Sequence, residues 1–83
     1  MYIDIITPDQ TVLSGEITSV KLPGADGSFQ VLNNHANLIS SLGEGELTVV
    51  TDSGESKTIE ISGGVVEVLE NKLSVLAETV IEK

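Results

Sequence analysis

A chain of 83 residues without cysteine forms one small domain that no disulfide or thiolate-held metal can staple, and its 13 acids against four lysines, a formal charge of -9, repel a nucleic-acid phosphate backbone. The apolar fraction of 40% is almost wholly aliphatic, with Tyr2 and Phe29 the only aromatics, which favours a thin β core and leaves no aromatic platform for stacked bases. No apolar run approaches the roughly 20 residues of a membrane-spanning helix and Met1-Tyr2-Ile3-Asp4 lacks a basic signal-like start, so membrane association is expected only indirectly, through another protein.

Tyr2–Ile6 is a short apolar run stopped at Thr7-Pro8-Asp9, because Pro8 has no N–H to give a ladder. Residues 11–14 make a second short strand up to Gly15. Over residues 17–22 the alternation sets Thr18, Val20 and Leu22 on one side and Ile17, Ser19 and Lys21 on the other, a half-buried strand. Pro23-Gly24 ends it, Ala25-Asp26-Gly27 turns the chain, and a strand resumes with Phe29 and Val31 on one face. Asn33-Asn34-His35-Ala36-Asn37 is a loop in which consecutive asparagines, tolerant of positive φ, predict a tight turn. Leu38, Ile39 and Leu42 fit either a short strand or a helical turn.

The second half is plainer β sequence. Residues 46–51 alternate Leu47, Val49 and Thr51 against Thr48 and Val50. Asp52-Ser53-Gly54-Glu55 reads as a hairpin loop, and residues 56–62 return with Lys57, Ile59 and Ile61 on one face. Gly63-Gly64 predicts a bulge or a close backbone approach. Residues 65–69 and 73–77 pair about a turn at Glu70-Asn71-Lys72, and residues 79–81 add a last edge. About eight short strands at this spacing predict an all-β fold, a flattened antiparallel sandwich or barrel, in a single domain spanning 1–83.

No catalytic constellation is visible. His35 is the only imidazole; Ser40 and Ser41 follow it without a Gly-x-Ser-x-Gly elbow, and one histidine with Asp26 or Asn37 falls short of a zinc ligand set. Gly24-Ala25-Asp26-Gly27 lacks the third glycine, the Lys-Ser/Thr ending and the following helix of a phosphate loop, and Asp26 would repel the phosphate. Glu44 and Glu46 sit in a glycine-flanked turn with no sign of a tuned acid–base pair. The expectation is a protein that makes contacts, with no enzyme activity, metal or cofactor. His35 braces its loop or touches a partner, and Phe29 belongs to the core.

The ordered set Leu13-x-Gly15, Pro23-Gly24-x-x-Gly27-x-Phe29-x-Val31-Leu32-x-x-His35-Ala36-x-Leu38-Ile39, Gly45-x-Leu47, Ser62-Gly63-Gly64-x-x-Glu67-Val68 and Val75-Leu76-Ala77-Glu78-Thr79 resembles the N-terminal domain of the epsilon subunit of the rotary F-type ATP synthase. That resemblance implies a β sandwich on the central stalk that binds the gamma subunit and the c-subunit ring. Such a domain helps couple proton or sodium flow to ATP synthesis without bond chemistry of its own, peripherally on the cytoplasmic face of the bacterial inner membrane. It places Gly24, Asp26, Gly27 and Ser28 towards the c-ring, and His35, Thr7 and Ser40 towards the gamma subunit. The family commonly has Pro-Gly before the histidine and Pro after the following alanine; here the residues are Asn33-Asn34 and Asn37. Most members continue into two C-terminal helices that restrain ATP hydrolysis, whereas this chain stops at Lys83, so a protein without that helical latch is expected. The alternative reading is a small-ligand or carbohydrate-binding β module. A docking protein is expected to expose an apolar strip, for which Val65, Val66, Leu69 and Leu73 are the candidates.

Overall fold

The computed structural model describes residues 1–82 and contains, among them, nine strands and no helix. They are β1 (Tyr2–Ile6), β2 (Thr11–Gly24), β3 (Gly27–Leu32), β4 (Leu38–Leu42), β5 (Gly45–Thr51), β6 (Ser56–Ile61), β7 (Gly64–Leu69), β8 (Lys72–Ala77) and β9 (Val80–Glu82). One layer runs β4-β7-β8-β1 and is joined by the first half of β2; the other runs β3-β2-β5-β6-β9 through the second half of β2. All pairings are antiparallel except β1 with β8, which run parallel in register from Tyr2↔Lys72 to Ile6↔Leu76.

Period-2 alternation decides which side chains meet between the layers. Ile3 and Ile5, Val66 and Val68, and Leu73, Val75 and Ala77 come from one layer. Val20, Leu22, Val31, Leu47, Val49, Ile59 and Ile61 come from the other, Ile17 lies where β2 passes between the two, and all join one buried cluster. Among the described residues no polar or charged side chain is buried, so nothing in this aliphatic core needs a hydrogen-bond partner. Phe29 packs against the cluster from its rim.

Strand β2 departs from expectation. The two short strands read on either side of Gly15 are one strand of 14 residues. Ile17, expected to face away from Val20, is buried with it. Ile17 pairs Thr51 and Ser19 pairs Val50, so Thr18 is an extra residue on the β2 side, a bulge that shifts the alternation by one. The displaced Thr18 hydroxyl donates to the Val50 carbonyl at 3.3 Å. The bulge lies where β2 passes from one layer to the other, and the bend it supplies suits that passage. Residues 38–42, open between strand and helical turn, form strand β4 against β7.

Gly64 begins β7 and is paired on both sides, with Leu42 and with Ala77. Its φ is +154°, and a Cβ there would overlap the Leu76 carbonyl oxygen and stand 3.0 Å from the Ala77 Cα. The close approach read from Gly63-Gly64 is therefore a backbone contact that cannot yield.

The loop around His35 is laced to its neighbours. His35 N–H donates to the Leu32 carbonyl at 3.2 Å, closing a turn with Asn34 at φ 64°. Asn71, itself at φ 62° in the β7–β8 turn, accepts the Asn34 N–H on its Oδ1 at 2.7 Å. Asn37 Oδ1 accepts the Glu70 N–H at 3.0 Å, so the two turns hold each other reciprocally. On the other flank Asn33 Oδ1 accepts from the Met1 nitrogen at 2.7 Å, and that nitrogen also lies 3.4 Å from Glu16.

Two outcomes follow. Gly64→Ala is expected to lower the unfolding free energy by about 3 kcal/mol in urea titration, whereas Gly54→Ala, at φ 92° in open space, loses only about 1 to 2 kcal/mol. Asn71→Gly keeps the positive-φ turn but removes the acceptor, and should speed hydrogen exchange of the Asn34 amide about tenfold with the global stability nearly unchanged.

Candidate functional site

Gly24, Asp26, Gly27 and Ser28 lie together on the β2–β3 hairpin, where Gly24 pairs Gly27 and only Ala25 and Asp26 form the loop. Asp26, Gly27 and Ser28 are exposed. The tip stands on a firm base: Ala25 N–H donates to the Ser41 carbonyl at 3.0 Å and Gly43 N–H to the Pro23 carbonyl at 2.8 Å. A side chain at Gly24 would meet the Phe29 ring at 2.9 Å, so the ring closes under the hairpin.

His35 lies at the other end of β3, which its six residues make roughly 17 Å away. Its Nδ1 is 2.8 Å from the Ala36 carbonyl oxygen. A carbonyl only accepts, so Nδ1 is the donor here, and Nε2 faces away from it on the exposed ring, an acceptor in the neutral imidazole. Thr7 does not join it. The Tyr2 N–H meets the Asn71 carbonyl at the His35 end of β1, and Thr7 is five positions further on, roughly 16 Å along the strand. The Thr7 hydroxyl turns into its own hairpin and donates to the Gln10 carbonyl at 3.3 Å. Ser40 is half-buried and alternates with Leu38 and Leu42 towards the interior, opposite in phase to Ile39 and Ser41.

What connects these ends is the outer face of β4-β7-β8-β1. The register sets three rows across it: Ser41, Val65, Leu76 and Ile6 at the Thr7 end; Ile39, Glu67, Ser74 and Asp4 in the middle; Leu69, Lys72 and Tyr2 at the His35 end. Ile39 is 72% exposed, Leu76 55%, Leu69 52% and Val65 41%. An open groove of about 350 Å³ lined by Ile6, Thr7, Pro8, Leu76, Ala77 and Glu78 extends the face at the Thr7 end. It is too open to enclose a small ligand and suits a protruding side chain of another protein. The opposite layer presents Gln30, Lys21, Thr48 and Thr58 in one row, with the two threonine hydroxyls 3.1 Å apart. Its exposed aliphatics, Leu32 and Ile81, stand at its margins.

The apolar strip thus exists with different members from those expected. Val66 and Leu73 are wholly buried, because they share parity with the core positions of β7 and β8, and their places are taken by Leu76, Ile39 and Tyr2. The alternation within residues 72–77 already points Leu76 outward. Its neighbours across β1 and β4 depend on long-range register.

Residues 1–83 match the family model of the ATP synthase delta/epsilon chain β-sandwich domain. An ATP synthase epsilon chain of Salinibacter ruber is 40% identical over 96% of this chain and 59% of its own length, and one of Caulobacter vibrioides is 38% identical over 99% of this chain and 94% of its own. The chain therefore spans a little over half of some curated relatives and nearly all of others. Among solved structures, a chain in the Euglena gracilis mitochondrial ATP synthase OSCP/F1/c-ring assembly superposes with a TM-score of 0.90 at 21% identity, covering 96% of this chain and 51% of that one. A chain of the Tetrahymena thermophila central stalk/c-ring gives 0.84 at 17%, covering 98% and 65%. The likeness to these structures is one of fold, while the family model and the relatives' identity carry the assignment: the chain belongs to the ATP synthase delta/epsilon family, as its β-sandwich domain.

Proposed function

We propose that the chain is a non-catalytic rotor component of the ATP synthase central stalk, docking on the gamma subunit through the outer face of β4-β7-β8-β1 and meeting the c-ring with the β2–β3 hairpin. The single observation that carries this reading is the one-sided apolar face, Leu76, Val65, Ile39, Leu69 and Tyr2, on a domain whose other face is polar. A contiguous exposed apolar face of that kind marks a surface that a protein partner covers. Thr7 and His35 bound the face at its two ends and serve as contacts at its margins, with the His35 Nε2 accepting from a partner N–H or O–H. Ser40 acts through its neighbours Ile39 and Ser41, whose side chains emerge on the docking side.

The hairpin tip suits the ring. Asp26 and Ser28 are presented by a backbone clamped to the β4–β5 corner, so a polar loop pressing on them meets little give. With one surface on the stalk and another on the ring, the domain transmits torque between them as ions, protons or sodium, drive rotation. It then lies peripherally at the cytoplasmic face of the membrane. A specific contact of this kind buries roughly 1,200 to 2,000 Å² in total.

Native mass spectrometry of the chain with the gamma subunit of the same enzyme tests this. A one-to-one complex is expected, abolished by Leu76→Asp, weakened about tenfold by His35→Ala and unaffected by Asp26→Ala. If Leu76→Asp left the complex intact, the assigned face would be wrong. If no complex formed at micromolar concentration, so would the stalk role.

A further inference from the structure

The docking face carries a carboxylate where an apolar interface tolerates one least. Glu67 is exposed at the centre of β7. Across the ladder it faces Ile39 on β4 and Ser74 on β8, and along its own strand it lies between the outward side chains Val65 and Leu69. Three of its four neighbours on the face are therefore aliphatic side chains 72%, 41% and 52% exposed.

The other charged groups on the strands of this face already have partners. Lys72 Nζ lies 3.9 Å from Asp4 and 5.9 Å from the centre of the Tyr2 ring. Asp4 also accepts from the Ser14 hydroxyl, and Glu16 lies against the Met1 nitrogen. The one lysine of the face is thus drawn towards β1, away from β7, and the Glu67 carboxylate has no ion-pair or hydrogen-bond partner among the described residues.

Covering Ile39, Val65 and Leu69 necessarily strips water from Glu67, and an ionised carboxylate stripped of water without a counter-charge is strongly unfavourable. Resting on the stalk reading above, we infer that the gamma surface seated here presents a lysine or arginine to Glu67, between two apolar ridges that cover the Val65–Leu76 and Leu69–Tyr2 rows. Arginine fits better, because its planar fork matches a carboxylate and sheds water more readily than an ammonium. A second copy of this chain is the wrong occupant. Each copy carries a charge of -9, and a two-fold contact centred on this face would bring Glu67 against Glu67. The pair also sets register: a partner displaced along the face by one row leaves both charges buried without counter-ions.

The test is titration of the 83-residue chain onto the F1 sector of its own synthase from which this subunit has been removed, at two salt concentrations. Glu67→Gln keeps shape and should weaken binding about 30-fold or more, Glu67→Lys should abolish it, and Glu55→Gln, in the β5–β6 hairpin, should leave it unchanged. The salt dependence of the Gln variant should be shallower than that of the native chain. Reversing the facing cation to glutamate should restore binding to Glu67→Lys. Native affinity in Glu67→Gln overturns the pairing and leaves the stalk reading standing, whereas failure of the native chain to bind overturns both. Sedimentation of the chain alone as a dimer that Leu76→Asp dissociates would assign the face to a second copy and overturn the inference as well.

Discussion

Strand β2 has to belong to two layers at once, and a chain of alternating side chains cannot turn from one layer to the other without losing its phase. The extra residue at Thr18 resolves this. It lets Ile17 complete the core beside β1 while Val20 and Leu22 complete it beneath β3 and β5. Without that shift one half of β2 would present its polar side to the interior, and a core made only of aliphatic groups has nothing with which to satisfy it. The remaining strands then fall on either side of β2, and the small domain acquires a closed interior from very short strands.

Closure leaves two outer faces that are chemically unlike. One is finished by threonines, glutamine and lysine and is content in water. The other alternates an apolar row, a polar row and a second apolar row across four strands, with His35 and Thr7 at its ends. Its polar middle row meets water readily, while its flanking rows leave aliphatic side chains open to solvent. Stiffness is supplied at both ends. At one, hairpin and β4–β5 corner share backbone bonds; at the other, Asn33, Asn34, Asn37 and Asn71 supply side-chain to backbone hydrogen bonds.

Much of this was legible in the residues taken alone. The alternation of residues 46–51 and 56–61, the Asp52–Glu55 loop and the crowding at Gly63-Gly64 are local properties, and the structure has them where they were read. So does the tight asparagine turn. The continuity of β2 was hidden because Gly15 resembles a break although the ladder with β1 runs straight through it. The bulge was hidden because only the partner β5 defines it. Site residues fared likewise: rarity singled out His35 and the family resemblance singled out Asp26, but neither tells that Thr7 sits a strand's length from His35 or that Ile39 borders Glu67. Those are statements about β1 beside β8 and β4 beside β7, and no local pattern encodes a register across 28 or 70 positions.

The parallel pairing of β1 with β8 also governs how the domain comes into being. Ile3 meets Leu73 across 70 positions of chain, and β1 otherwise has only β2 to hold it. During synthesis the β5–β6 and β7–β8 hairpins can zip as they emerge, but the layer containing β1 stays open until its last partner has been made. Such distant closure makes for slow folding, in the millisecond-to-second range typical of non-local β domains. The layer that waits is the one bearing the apolar rows, so that outer face is assembled last, and a nascent chain carries it unfinished until β8 has been made.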